Sequence, residues 1–231
     1  MERKKIIPSF KELKADLKTM TFPQKLDHLW TYYKYYVLIA VVVAVFVAAI
    51  ITGIVNASKE VLISGMLTNV SMEQRGFHYL SEGYGEVLGA KGNQVVELTS
   101  TNFEDLETSE DVETNYNAAQ VLIARVSGGL LDYAIIDQMS FEFYLTQEVY
   151  LDLRELFTQE ELQQLADADM LAYAKIKETG DTWPVAVKIT NWDFVRDTVK
   201  TKGEIYFIVS GNSPDKQAVR GILEHIRAWK P

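Results

Sequence analysis

Residues 37–55 read VLIAVVVAVFVAAIITGIV, nineteen consecutive positions at which only Thr52 has a polar side chain. At a rise of about 1.5 Å per residue, such a helix spans about 28 Å, close to the hydrocarbon thickness of a bilayer. A helix on the surface of a globular domain keeps a polar face toward water, and this run has none. The run therefore predicts one transmembrane helix, at residues 35–57.

The residues before the apolar run indicate its orientation. Five aromatic residues lie within positions 30–36, a composition typical of the lipid headgroup layer. Residues 1–36 contain eight Lys and Arg against four Asp and Glu, a net charge of +4, whereas the remainder carries −13. Basic residues beside a membrane helix favour the cytoplasmic side. We expect a cytoplasmic basic tail at 1–34, a plasma-membrane anchor and an extracytoplasmic domain at 60–231.

A cleavable signal peptide is the alternative to an anchor. Residues 55–57 (VNA) resemble a processing site with small flanking side chains. Signal peptides, however, have apolar segments of about 7–15 residues and short preceding tails, and both are exceeded here. An uncleaved signal anchor is favoured.

Composition excludes several kinds of chemistry. The chain has no cysteine, which rules out disulfides, thiolate zinc sites, iron–sulfur clusters and thiol catalysis. Its three histidines are His28, His78 and His225, and the predicted membrane separates His28 from the other two. No spacing typical of a metal site, a cofactor site or a catalytic triad is present. An acidic outer domain also argues against a nucleic-acid partner.

The basic tail contains a predicted amphipathic helix. Ser9 and Glu12 have the spacing of a capping box, and apolar residues follow on one face at Phe10, Leu13, Leu17 and Met20. Such a helix would lie on the inner leaflet or dock a partner. A solvated, frayed extension is the alternative.

Beyond Lys59, short apolar strands alternate with amphipathic helices. Strands are predicted at residues 61–70, 94–99, 131–136, 183–189 and 204–209, and helices after Ser71, around 118–126, and after Ser140, Thr158 and Ser213. This alternation favours parallel pairing with crossover helices. The predicted fold class is α/β, with a mostly parallel sheet flanked by helices.

Start and stop signals place several helix ends. Thr158 and Glu161 form a second capping box, and Gly128-Gly129 is a helix stop. Ser213, followed by Pro214, is the expected N-cap of the last helix.

Two sets of residues are candidates for interactions. The stripe Ala40, Ala44, Ala48 and Thr52 places small side chains on one side of the membrane helix, the form of a close helix–helix contact that would allow self-association. The acidic cluster Glu104, Asp105, Glu107, Glu110 and Asp111 would hold a divalent cation or meet a basic partner. Alternating Val and Ala filler, and a solvated loop, are the respective alternatives. Aromatic residues near the late strands either line a pocket or pack in the core, namely Trp183, Trp192, Tyr206 and Phe207.

Residues 122–156 (LIARVSGGLLDYAIIDQMSFEFYLTQEVYLDLREL) resemble the extracytoplasmic solute-binding proteins of bacterial transporters, of the type 2 periplasmic-binding-protein class. The resemblance implies a helix ending in glycine, an Asp-containing apolar strand and a short helix leading to Leu151-Asp152-Leu153. Only residues 190–203 separate the two late strands, so the domain corresponds to a single lobe. Residues 29–36 (LWTYYKYY) and the anchor resemble a group of single-pass proteins of Gram-positive bacteria.

These observations predict a membrane-anchored, non-enzymatic binding or interaction module with protein partners at the cell envelope. No catalytic residue is assigned. One alternative is an envelope enzyme whose carboxylates come from residues 104–113 or from Asp132 and Asp137. The other is an accessory subunit of a membrane transporter complex.

Overall fold

The computed structural model describes residues 21–102, 112–175 and 180–231 of the chain. The chain divides into two units, Met1–Ser58 and Lys59–Pro231. The predicted tail helix with its capping box at Ser9 and Glu12 lies outside the described residues.

The first unit contains helix α1, Phe22–Ala57, a single helix of 36 residues. Pro23 lies in its first turn, where a backbone N–H would lack a helical partner in any case. Within α1, Lys34–Ile54 is long and apolar enough to cross a membrane, and no part of its apolar window is buried. No other helix in the described part of the chain meets these criteria. The expected single N-terminal apolar helix is confirmed.

The second unit is built on a sheet of six strands in the order β2-β1-β3-β6-β5-β4. The strands are β1 Glu60–Thr68, β2 Gln94–Thr101, β3 Tyr133–Asp137, β4 Leu171–Lys175, β5 Thr182–Lys188 and β6 Ile205–Val209. Strand β1 pairs in parallel with β2 and β3. The pairs β3–β6, β5–β6 and β4–β5 are antiparallel. The α/β class is confirmed, but the expected mostly parallel sheet is wrong, because the sheet is mixed and mostly antiparallel.

The sequence does not indicate whether β6 runs parallel or antiparallel to its neighbours, because every residue of this strand, IYFIV, is buried. A strand covered on both faces has no alternation of apolar and polar residues, and such runs are typical of parallel sheets. Strand β4 was missed altogether. Only six residues connect it to β5, which suffices for an antiparallel pair but is too short for a crossover.

Helices cover both faces of the sheet. They are α2 Gln74–His78, α3 Tyr84–Val87, α4 Val112–Ser127, α5 Gln138–Gln147, α6 Gln159–Asp167, α7 Asp193–Thr198 and α8 Lys216–Arg227; a π-helical turn joins α2 to α3 at Tyr79–Gly83, and a 3-10 turn precedes α6 at Leu153–Glu155. One core cluster contains Leu80, Phe207 and Ile222. The other contains Leu122 and Ile208, so neighbouring residues of β6 enter opposite faces.

Some helix ends follow the local signals and others do not. The capping box of Thr158 and Glu161 is confirmed at the start of α6, and α4 ends before Gly129, whose φ is +63°. The predicted N-cap of the last helix is wrong. Asp215, not Ser213, caps α8 by accepting a hydrogen bond from the backbone N–H of Ala218 at 2.9 Å.

Gly65 in β1 allows the buried ring of Tyr133 to lie directly against the backbone of the neighbouring strand. A Cβ atom at position 65 would overlap the ring of Tyr133. Tyr133 in turn stacks on Phe207 of β6, with 5.3 Å between ring centroids. The glycine is therefore required by packing in the centre of the sheet.

We predict that Gly65→Ala lowers the free energy of unfolding by about 1–3 kcal/mol, because the added methyl group displaces the ring of Tyr133. Gly85→Ala is the matched control. A Cβ there meets its nearest neighbours at 3.8 Å, within helix α3, and alanine is favoured in helices by about 1 kcal/mol. Urea denaturation of both variants checks the prediction, which is contradicted if Gly65→Ala is as stable as Gly85→Ala.

Candidate functional site

One possible ligand site lies at the carboxyl ends of β1 and β3, because β2 and β3 lie on opposite sides of β1. In open α/β sheets, ligands commonly bind where the strand order reverses in this way. Beyond the end of β1, the chain pairs with the segment that follows α7. The backbone N–H of Ser71 donates to Thr201 Oγ1 at 2.8 Å, and the Lys200 N–H donates to the Ser71 carbonyl at 2.8 Å. Asn69 adopts a left-handed conformation with φ of +57° and receives a hydrogen bond from Thr201.

The polar side chains beside this edge bind one another. Asp137 caps α5 by accepting from the Ser140 N–H at 2.9 Å. The Tyr206 hydroxyl contacts both Gln138 and Glu204. Burial, together with the Glu204 carboxylate, raises the pKa of Tyr206, so its hydroxyl remains protonated at neutral pH. These groups support local structure.

Asp132 lies at the opposite edge of the sheet and is 6% exposed. Its carboxylate accepts hydrogen bonds from the Ser64 N–H at 2.7 Å and from the Ser213 hydroxyl at 2.6 Å. Strand β3 separates Asp132 from Asp137, and five steps of about 3.3 Å place the two residues roughly 17 Å apart. A pair of catalytic carboxylates works at about 5–10 Å. The geometry therefore does not bring Asp132 and Asp137 together as an acid–base pair.

We predict that Asp132→Ala lowers the free energy of unfolding by about 2–5 kcal/mol, because it leaves two buried donors without an acceptor. Ser213→Ala removes one of those donors, so the double variant should lose less than the sum of the single losses, by at least about 0.5 kcal/mol. Denaturant titrations of the four proteins measure this coupling.

The control cycle pairs Asp137→Ala with Ser213→Ala. Asp137 is an N-cap, worth about 1 kcal/mol, and lies at the other edge, so the two losses should simply add. Simple addition for Asp132 and Ser213 as well would contradict the assigned hydrogen bond.

The two histidines of this unit serve different purposes. The His225 ring stacks on Tyr79 with 3.9 Å between ring centroids, and its Nε2 lies 3.2 Å from the Tyr79 carbonyl oxygen. Burial lowers the pKa of His225, and the contact with that carbonyl only partly opposes the effect. His78 is exposed and lies 3.3 Å from Glu82. Among the described residues, no group of three or more His, Cys, Asp or Glu is arranged to hold a metal ion.

We predict that the domain loses stability as the pH falls from 7 to 5. Since the pKa of His225 is lower in the folded than in the unfolded state, the unfolded chain binds the proton more readily below about pH 6.5. His225→Gln should flatten the dependence of unfolding free energy on pH in this range. A slope that survives in His225→Gln would refute the assignment.

A groove between α6 and α8 is a concave site lined by described residues. Its volume is about 200 Å³, and its apolar walls are Leu165, Met170, Val187, Trp192 and Leu223. Helix α6 contributes from one side and α8 from the other, whereas Val187 comes from β5. Helix α6 lies there because its apolar residues Leu162 and Leu165 pack against the larger core cluster.

The polar rim of the groove is centred on Arg220. Its guanidinium lies 2.5 Å from Glu161 and 3.0 Å from Glu224, and also donates to the Leu156 carbonyl at 3.2 Å. The capping box orients Glu161, because the Thr158 N–H donates to the same carboxylate at 2.8 Å. That backbone hydrogen bond, with the Arg220 contact, holds the pKa of Glu161 below its usual range. The rim is therefore held in place by the cap of α6.

The sequence-predicted candidates lie elsewhere. Ala40, Ala44, Ala48 and Thr52 recur along α1, and the Thr52 hydroxyl donates to the Ala48 carbonyl at 2.8 Å. Glu104, Asp105, Glu107, Glu110 and Asp111 lie outside the described residues. Of the four aromatic residues near the late strands, Trp192 lines the groove, whereas Phe207 is buried in the core.

The groove was not predicted from the sequence as a site. Trp192 was an open case, a residue that either lines a pocket or packs in the core, and only the Thr158–Glu161 box was placed correctly. Two features of the sequence pointed toward the groove. Glu161 belongs to a capping box beside other acidic residues, and Arg220 lies on the polar side of an amphipathic helix. Their pairing joins positions 59 residues apart. No protein-family model matches the chain, and no curated protein or solved structure matches it significantly.

Proposed function

We propose that this chain is a single-pass plasma-membrane protein whose unit Lys59–Pro231 binds protein partners outside the membrane, without catalysis. The single observation that carries the proposal is α1. Its segment Lys34–Ile54 is apolar around its whole circumference and unburied, which is stable in a bilayer and unfavourable in water. The net charge of +4 over residues 1–36 supports a cytoplasmic N-terminus.

The polar and concave features of the second unit support partner binding over catalysis. Asp132 and Asp137 lie at opposite ends of β3, and residues 198–201 pair with residues 69–73 beyond the end of β1. The groove, at about 200 Å³, is smaller than the 300–1,000 Å³ of typical small-molecule pockets. A site of this size can hold one side chain of a partner protein, as the central pockets of many protein–protein interfaces do.

The resemblance to one lobe of a solute-binding protein is part of the same proposal. Between β5 and β6 the chain has sixteen residues, of which only Asp193–Thr198 form a helix. A second lobe to close over a solute does not fit in that connection. A protein partner supplies its own second surface, so a single lobe is sufficient for this function.

Self-association of the anchor is a further element of the proposal. Ala40, Ala44, Ala48 and Thr52 present small side chains at every fourth position of α1. Small residues at this spacing let two membrane helices approach closely. The chain would then present two outer units at the cell envelope.

The test is crosslinking on intact, wall-stripped cells with an amine-reactive reagent that does not cross membranes. We expect an adduct of discrete mass that contains a second protein joined through lysines of Lys59–Pro231. Tail lysines such as Lys11 and Lys14 should react only after the cells are opened.

Two outcomes would contradict the proposal. Labelling of the tail lysines in intact cells would invert the topology. A thermal-shift screen that finds a sugar, amino acid, peptide or metal ion with micromolar affinity would assign a solute-binding role instead. At a hundred times its dissociation constant such a ligand stabilises a protein by about 2.7 kcal/mol, which is readily measured.

A further inference from the structure

We propose that the groove between α6 and α8 binds one aromatic side chain flanked by a carboxylate, presented by a partner protein at the cell envelope. This inference rests on the proposed function, because it names the chemistry of the partner at that site. It depends on three properties of the groove: its volume, its unpaired hydrogen-bond donors and the rigidity of its rim.

The volume of the groove matches that of one aromatic ring. A cavity of about 150 Å³ lined by apolar side chains accommodates benzene, and the groove here measures about 200 Å³. Its walls include the Met170 thioether and the Trp192 indole. Sulfur–aromatic and aromatic–aromatic contacts add favourable energy beyond the burial of apolar area. An aromatic ring therefore fits better than an extended aliphatic chain.

Two donors in the lining lack acceptors. The Trp192 indole N–H makes no hydrogen bond with any described residue, although the side chain is half-buried. The Arg227 guanidinium, at the end of α8, makes no ion pair or hydrogen bond within the same described part of the chain. An indole donates only, and a guanidinium is always charged. The half-buried indole and the exposed guanidinium can both donate to a ligand, and Arg227 favours an acceptor that is negatively charged.

The other arginine of the lining, Arg220, pairs with both glutamates of the lining. Arg220 binds Glu161 and Glu224, and its Cζ atom lies 5.5 Å from the centroid of the Phe157 ring. These contacts keep the two carboxylates directed at Arg220 and leave Arg227 available to the ligand. The groove thus combines an apolar floor with one exposed cation, Arg227, that has no ion-pair partner among the described residues.

The experiment uses the full chain in lipid nanodiscs with ¹⁵N-labelled tryptophan, which gives only four indole signals. The probes are N-acetyl-phenylalanine, its amide, which has no carboxylate, and N-acetyl-alanine, which has no ring. The Trp192 signal is identified by its loss in Trp192→Phe. We expect N-acetyl-phenylalanine to shift this signal with a dissociation constant of about 1 mM, the affinity usual for so few atoms.

The carboxylate is tested with Arg227→Gln. This change should raise the dissociation constant of N-acetyl-phenylalanine by up to about fivefold, which corresponds to the loss of an exposed ion pair. The dissociation constant of the amide should not change. Lys230→Gln is the matched control, since it removes an exposed cation three residues away that does not line the groove. N-acetyl-alanine should not shift the Trp192 signal at all.

The proposal is overturned if no probe shifts the Trp192 signal, or if the acid and the amide bind equally in the wild-type chain. It is also overturned if Lys230→Gln weakens the acid as much as Arg227→Gln does. Crosslinking of the outer unit to a partner can succeed in each of these cases, and the proposed function would then stand with the contact at another surface.

Discussion

The buried carboxylate of Asp132 is the interaction on which the arrangement of the sheet depends. It accepts hydrogen bonds from β1 at Ser64 and from the turn before α8 at Ser213, while its own backbone pairs with Ser64 and Ser210. A buried polar side chain is tolerated only when it has hydrogen-bond partners. The contact therefore fixes β1, β3 and the end of β6 at one point. That point lies where the sheet changes from parallel to antiparallel pairing.

Features coded by neighbouring residues could be predicted from the sequence, and features that depend on distant partners could not. The Thr158–Glu161 box and the Gly128-Gly129 stop need only a few adjacent residues, and both were predicted correctly. Ser213 has the local pattern of an N-cap, but its hydroxyl donates a hydrogen bond to Asp132, 81 residues earlier in the chain. Asp215 then caps the helix instead. Likewise the direction of β6 depends on β3 and β5, because five buried residues carry no pattern of faces.

The groove shows how a local signal contributes to a candidate site without revealing it. The cap of α6 orients Glu161, Glu161 orients Arg220, and Arg220 reaches across to α6 from α8. Each step is simple, but the groove appears only when residues from positions 157–170, 187, 192 and 220–227 come together. The aromatic residue at 192 was recognisable in the sequence as a pocket candidate. The walls opposite it were not, since nothing in the sequence relates α6 to α8.

The proposed membrane anchor would compensate for the weak binding expected of a small groove. A site that holds one ring and one carboxylate gives an affinity in the millimolar range, too weak for capture of a partner from dilute solution. Two proteins held on the same membrane by short flexible connections meet at an effective concentration that is itself about millimolar. Weak docking is then enough to populate the complex, and the complex still dissociates quickly. In the proposed function, α1 would therefore supply the high local concentration that binding at the groove requires.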